Sequence, residues 1–286
     1  MVTKIRQFFD KKNKSRFRSE LEGLIVVIFA AFIIRTVIFG LYQVPTGSME
    51  TTLLVGEGFV ADKLTYWFRA PKRNEIIAFN DPKYQYSENK FTNLWERYVW
   101  GPSNWTKRVI GIPGDHVKGV IENGKPVIYV NNQKIDEPYL NKYPLITLRK
   151  SLPTMEDILT GRYYIDQRSY DPNVSYHDQP FYRIDEKLLV KTGDCQLMLL
   201  HPGTPLDIDK FDVYLGPDQY WVMGDNRLGS LDSRAWGPLK GHQIHGKIIF
   251  RLFSVDSPGS IILDFIKHPI DFWTRIRWSR WLQFVS

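Results

Sequence analysis

The chain has 286 residues, 43% of them hydrophobic and 14% aromatic, which is ample for a packed core and excludes wholesale disorder. Its formal charge of +7 suggests nucleic acid until the distribution is read: residues 1–20 hold seven basic residues against Asp10 and Glu20, net +5, so most of the excess precedes a long apolar run. Basic residues beside a span resist translocation, so the asymmetry points to a membrane and not to a nucleic-acid partner, with a plain solvated basic arm as the alternative.

The apolar run "LIVVIFAAFIIRTVIFGLY" covers Leu24 to Tyr42, nineteen residues interrupted by Arg35. About 20 apolar residues cross a bilayer, and Arg35 can snorkel toward an interface. The run exceeds an ordinary signal-peptide core, and Leu41-Tyr42-Gln43 is no small-x-small cleavage site. The expected arrangement is an uncleaved anchor over 21–43, a cytoplasmic basic N-terminus over 1–20, and the bulk of the chain on the far side. Cys195 is the single cysteine, so neither an intrachain disulfide nor a thiolate metal cluster can form.

Immediately after the anchor stands "QVPTGSMETTLL", Gln43–Leu54. Pro45, Thr46, Gly47 and Ser48 are turn formers, and Ser48 is also a possible nucleophile. From there the pattern is β-like: "GFVADKLTYWF", "NEIIAFN", "KRVIGIPGDHV", "VIYVNNQKI" and "QYWVMGD" are short apolar runs separated by Pro, Gly and Asn turns. Residues 136–212 are richer in Tyr, Asp, Pro and Lys and read as an inserted subdomain between core parts at 44–135 and 213–256. The tail, 257–286, is aromatic and basic. Ile270, Trp273, Ile276 or Arg277, Trp281 and Phe284 approximate helical spacing, which suits either a headgroup-level amphipathic segment or a helix packed on the protein's own core.

Several chemistries lack their signatures. The six histidines form no His-Glu-x-x-His motif, and His242-x-x-His245 alone is weak support for a metal. There is no Gly-x-Ser-x-Gly elbow, phosphate loop or dinucleotide fingerprint. A base for Ser48 must therefore be sought elsewhere. A lysine serves if its amine is neutral, which requires a drop of about three units from ~10.4, within reach of apolar burial. Lys107 in "WTKRVIGIPGD" is the best candidate, beside a second cation at Arg108; a solvent-facing lysine on an edge strand is the alternative. The stretch "MGDNRLGSLDSRAWG" (223–237) packs short polar residues behind an apolar strand, with Asp225, Asp232 and Arg234 able to form buried ion pairs. It reads as a site-building loop, or as a hairpin tied by Asx-turns.

These blocks, in this order, resemble the bacterial type I signal peptidases (leader peptidases), membrane-anchored proteases with a Ser/Lys dyad. "VPTGSM" is similar to the family's nucleophile block, "NEIIAF" (74–79) to a strand usually written Gly-Asp-Ile-Val-Val-Phe, "KRVIGIPGD" (107–115) to the general-base block, and "GDNRLGSLDSR" (224–234) to the signature loop. The resemblance implies a mainly β, membrane-anchored catalytic fold with a β-rich or loop-rich insertion and one N-terminal transmembrane helix. It implies Ser48 as nucleophile, Lys107 as general base, and an oxyanion hole from the Ser48 N–H and the Thr46 hydroxyl. Ser230 would hold the lysine amine, Asp232 and Arg234 would brace the site, and Asp225 and Arg108 would be structural. The implied substrates are secreted preproteins with small residues at −1 and −3, bound extended at a sheet edge beside the bilayer, with no cofactor or metal. Two departures stand out: Thr51 replaces the proline of the family's Ser-Met-x-Pro-Thr-Leu, and Asn74-Glu75 replaces Gly-Asp. A self-cleaving repressor of the same broad clan is disfavoured by the anchor, and a membrane scaffold with a dead site is separable by assay.

Overall fold

In a computed structural model, residues 16–98, 101–150, 155, 164–169, 171, 173, 195–256 and 261–285 are described. Most of the basic arm and much of the expected 136–212 insertion therefore lie outside the described residues. Helix α1 (Arg16–Ile33) runs into a π-helical turn at Ile34–Ile38. Within this stretch, Ser19–Ile38 is long and apolar enough to cross a membrane and its apolar window is not buried by the described residues; only its C-terminal end touches the sheet, where Lys63 bonds the Thr36 and Ile38 carbonyls. The helix stops five residues short of the expected anchor boundary at 43. Phe39–Gln43 form strand β1, because their backbone groups pair with β2 (Glu57–Asp62), Phe39 opposite Asp62 and Gln43 opposite Gly58. Apolar composition cannot distinguish a helix from a buried strand, and pairing decided it.

Beyond β2 come β3 (Ile76–Asn80), β4 (Asn104–Gly111), β5 (His116–Glu122), β6 (Lys125–Val130), β7 (Gln133–Lys134), β8 (Leu145–Lys150), β9 (Tyr164–Ser169) and β10 (Cys195–Leu200). The chain closes with β11 (Phe211–Tyr214), β12 (Gln219–Met223), β13 (Leu239–Lys240), β14 (Ile244–Ser254) and β15 (Gln283–Phe284). The large sheet has the order β1-β2-β14-β3-β4-β12-β13, with β15 also on β14. The order β11-β5-β6-β7 makes a second sheet and β10-β8-β9 a third, and all pairings are antiparallel. Since β11 returns at Phe211 to pair with β5, the chain between β7 and β11 is an excursion from one sheet.

Strand β3 lies between β14 and β4 and is apolar on both faces, as a central strand must be. Ile76 and Ala78 pack with Met49, Leu53, Phe59 and Ile248, while Ile77 and Phe79 pack with Val109, Val222 and Leu239. The second sheet joins the first where Val117 and Ile128 meet Ile110, Trp221 and Met223. Gly114 turns the chain from β4 into β5 at φ +87°, a conformation in which a Cβ is strained.

The tail is not one helix. It breaks into short helices at Ile261–Lys267 and Asp271–Thr274, a 3-10 turn at Trp278–Arg280, and β15. Phe272 and Ile276 bury against Val255, and Trp281 packs at the edge of that cluster. Arg280 Nε donates to Glu57 Oε1 at 2.6 Å, and Arg251 Nε donates to Glu57 Oε2 at 2.9 Å. Both guanidinium groups also donate to the Thr52 carbonyl. The tail thus braces the loop that follows Ser48, while Ile262, Ile266, Ile270 and Trp273 remain exposed.

Glu57 is fully buried and is the carboxylate on which both arginines converge. Removing one partner of a buried ion pair costs about 3–5 kcal/mol because the remaining charge loses its compensation. Glu57→Gln is expected to cost about 3 kcal/mol and lower the thermal midpoint by roughly 5–10 °C, measured by calorimetry on the full chain.

Candidate active site

Val44 N–H donates to the Glu57 carbonyl, and Gly47–Met49 then form a single 3-10 turn closed from Glu50 N–H to the Gly47 carbonyl. Met49 is buried in the core and anchors the turn, so its neighbour Ser48 is held at the surface of a cavity of about 630 Å³. The Ser48 N–H stands at the start of the turn, where no carbonyl inside the helix can accept it. Thr46 is exposed, extended at φ −137°, and its side chain caps nothing; it lines the same cavity. The Glu50–Thr51 peptide, where the family resemblance places x-Pro, is cis.

Lys107 is brought to Ser48 by β4, 59 residues further along the chain. Its Nζ donates to Ser48 Oγ at 2.7 Å and to the Thr106 carbonyl at 3.2 Å. The residue is 4% exposed, so the edge-strand alternative does not hold. Burial lowers the ammonium pKa to about 8; the carboxylates of Asp232 and Asp225 push it back up and the Arg234 guanidinium pushes it down. The value lies above the neutral range anticipated from burial alone because two carboxylates oppose it. The helpful cation is Arg234, not the sequence neighbour Arg108, whose side chain leaves the strand on the opposite side.

Strand β12 pairs Met223 with Arg108 and Val222 with Val109, which delivers the loop 224–234 beside Lys107. Arg108 forms a two-pronged pair with Asp225, Nε to Oδ1 at 2.9 Å and Nη2 to Oδ2 at 2.8 Å. Thr52 Oγ1 donates to the same carboxylate at 2.5 Å, and the guanidinium lies 4.1 Å from the centre of the Tyr139 ring. Asp232 caps the short helix Ser233–Trp236 and takes both Nε and Nη2 of Arg234, at 2.8 and 2.9 Å. Burial alone would raise the Asp232 pKa; Arg234 and the Gly224 N–H hold it below the ordinary carboxylate range.

Ser230 behaves differently from expectation. It is buried beside the site and makes no hydrogen bond to the Lys107 amine; its hydroxyl instead helps to hold the Asp232 carboxylate ionised. Gly224 separates it from Ser48: a Cβ there would collide with both Ser230 Oγ and the Ser48 carbonyl. The hydroxyl therefore stands close to the Ser48 carbonyl.

Other residues of the site carried no signal in the sequence. Asp209 takes Arg234 Nη1 at 2.7 Å from a segment read as insertion. Asn226 donates its N–H to the Ser48 carbonyl and its Nδ2 to the Gly47 carbonyl, both at 3.1 Å, fastening the Gly47–Met49 turn to the loop. Glu50, fully buried, accepts from Ser169 Oγ at 2.6 Å, and Ser169 in turn accepts from Asn141 Nδ2. Leu145 of β8 lines the cavity. All but Glu50 and Asn226 come from the 136–212 stretch. Their partners lie far along the chain, so no local spacing announces them. His245, half of the weak histidine pair, bonds Tyr42 instead, its Nδ1 3.2 Å from the tyrosine oxygen. Among the described residues no group of three His, Cys, Asp or Glu stands in metal-binding proximity.

The buried amine has a thermodynamic consequence. Its pKa is about 8 in the folded chain and 10.5 in the reference state, so the unfolded chain binds the proton more tightly. The destabilisation is full below about pH 8, fades as pH rises, and is gone above the reference value. Lys107→Met is expected to stabilise the protein by about 1–3 kcal/mol at pH 7 and by little at pH 10, as measured by denaturant unfolding at the two pH values.

The family described as "Signal peptidase, peptidase S26" matches residues 18–253. A signal peptidase I of Buchnera aphidicola subsp. Schizaphis graminum is 29% identical, with 82% of this chain and 75% of the relative aligned. One from Bacillus caldolyticus is 30% identical over 79% of this chain and 86% of its own. Among solved structures, a signal peptidase I from Enterococcus faecalis is 23% identical over 63% of this chain and 97% of its own, at a TM-score of 0.29. The chain is thus a serine endopeptidase that belongs to the signal peptidase family, peptidase S26, in its bacterial type I branch.

Proposed function

We propose that this protein removes N-terminal signal peptides from secreted preproteins by acyl transfer through a Ser48/Lys107 dyad. The observation that carries the reading is the 2.7 Å contact between Lys107 Nζ and Ser48 Oγ, made by an amine whose pKa is lowered to about 8. As an ammonium, Lys107 donates to Ser48; as a neutral amine it accepts the serine proton while Ser48 Oγ attacks the scissile carbonyl. The Ser48 N–H and the Thr46 hydroxyl hold the oxyanion, and the returning lysine proton goes to the leaving amine. The same lysine then activates water against the acyl-enzyme. Arg108, Asp225, Asp232 and Arg234 keep the loop and the strand in register, and Ser230, buried beside them, turns its hydroxyl to the amine once substrate closes the cavity.

The substrate binds extended. Residues Asn104–Lys107 of β4 pair with β3 on one edge, whereas β12 pairs with β4 only from Arg108 onward, so the other edge is open along the cavity. Gln43–Thr46 line the opposite wall. A strand inserted between them places its carbonyl against Ser48, with backbone hydrogen bonds for affinity and side-chain pockets for selectivity. The pockets take small residues at −1 and −3. Helix α1 spans the membrane once with the basic N-terminus in the cytoplasm, so the site works on the extracytoplasmic face at the bilayer surface where a signal peptide's cleavage point emerges. No cofactor or metal takes part.

In detergent, with a preprotein carrying an Ala-x-Ala site, Ser48→Ala and Lys107→Ala are each expected to lower kcat/KM by at least about 1,000-fold. Activity that survives both substitutions overturns the dyad. Thr46→Val should lower kcat by about 100-fold while Thr46→Ser restores it, since a hydroxyl donor is what the oxyanion requires. The pH profile follows from the amine: kcat/KM should rise about tenfold per pH unit below about 8 and level off above it, because only the neutral lysine is a base.

A further inference from the structure

A second cavity, of about 370 Å³, lies between the end of the membrane helix and the near end of the large sheet. The helix contributes Arg35, β1 contributes Tyr42, the turn after β2 contributes Lys63, and β14 contributes His245. Neither Arg35 nor Lys63 forms an ion pair with any described residue. Lys63 Nζ donates only to the Thr36 carbonyl, at 3.2 Å. The two cations are near enough that Arg35, after burial, helps lower the Lys63 pKa. The one carboxylate in the lining, Glu96, is engaged by the Ser87 N–H at 2.8 Å.

His245 adds a third, independent observation. Its ring stacks on Tyr42 with centroids 5.9 Å apart, and its Nδ1 faces the tyrosine oxygen. Tyr42, raised to about 12 by burial, keeps its proton, and its hydroxyl lies 3.2 Å from Nδ1. His245 itself stays neutral, held down to about 3 by burial and by Lys63. With the tyrosine donating to Nδ1, the ring proton is assigned to Nε2, a buried nitrogen with no partner among the described residues. Two uncompensated cations and an orphan donor converging on one cavity are a complementary set for a tetrahedral oxyanion.

We infer that this cavity binds a phosphate group, supplied in the membrane by the headgroup of an anionic phospholipid, through Arg35, Lys63 and the His245 Nε2–H. The cavity opens where a spanning helix leaves the hydrocarbon, which is headgroup depth, and Tyr66 and Trp67 beside it are residue types favoured at that interface. A headgroup held there ties the strand that leads to Ser48 to the bilayer surface, since β1 begins at the cavity and ends five residues before the nucleophile. The inference concerns binding and stands apart from the reading of the catalytic site.

The test is titration of the full chain in neutral detergent with dioleoyl phosphatidylglycerol, dioleoyl phosphatidylcholine or inorganic phosphate, reading the rise in thermal midpoint. Phosphatidylglycerol is expected to bind about tenfold tighter than phosphatidylcholine, and R35Q/K63Q to lose about tenfold in affinity. K12Q/K14Q, which removes the same charge from the basic arm, should change it less than about threefold. Inorganic phosphate binding as tightly as phosphatidylglycerol supports the site with a free anion as its source; weaker binding assigns it to lipid. Equal affinity of wild type and R35Q/K63Q, an equal loss in the arm variant, or no preference over phosphatidylcholine overturns the inference. Should the double variant fail to fold, K63R against K63Q repeats the comparison, with binding retained only in K63R.

Discussion

In the proposed mechanism Lys107 must be neutral and so cannot be given a carboxylate of its own, and the arrangement of charges around it meets that constraint. Lys107 is buried next to Ser48, yet Asp225 and Asp232 lie near enough to raise its pKa. Each of those carboxylates is committed elsewhere, Asp225 to Arg108 and Asp232 to Arg234. The arginines absorb the negative charge through two-pronged hydrogen bonds, and the amine is left with a serine hydroxyl and a carbonyl. A buried ion pair gains little stability over apolar packing, so its use here is to set the field around a third group. Loss of either arginine would free a carboxylate to claim the lysine.

The same economy of partners explains the architecture around the dyad. The Gly47–Met49 turn is short, so it is held from several sides: Met49 into the core, Asn226 onto its carbonyls, and Ser169 onto the Glu50 carboxylate behind it. The loop after it is held from below by Arg251 and Arg280 through Glu57 and the Thr52 carbonyl. Rigid support of this kind suits the proposed mechanism, in which the Ser48 hydroxyl must stay in fixed register with Lys107. The tail therefore serves the site from the far side of the sheet while presenting apolar residues outward.

Much of the site was legible before any coordinates. Ser48, Lys107 and the loop 224–234 stand in contiguous blocks whose residue types carry their chemistry, and the ion pairs Asp225–Arg108 and Asp232–Arg234 involve residues those blocks name. Legibility failed where a partner sits in unpatterned sequence: Asp209, Ser169 and Asn141 look like any other polar residues of a long excursion. It failed again at Phe39–Gln43, where apolar composition suits a helix in lipid as well as a strand in a sheet. The tail's aromatic spacing suggested one helix, but Ile276 and Trp281 are placed by packing on Val255 and by hydrogen bonds to β14, which break the period.

The amino-acid sequence by itself determined the family, the β-rich class and the apolar N-terminal helix, because hydropathy, turn residues and motif chemistry are local properties. Only the tertiary structure decided the charge balance around Lys107, the cation that matters to it, the place of Ser230 beside Asp232, and the position of Arg35 and Lys63 without an ion-pair partner among the described residues. These depend on burial and on distances between residues far apart in the chain. An electrostatic environment is a sum over neighbours in space, and the chain does not name its neighbours until it folds.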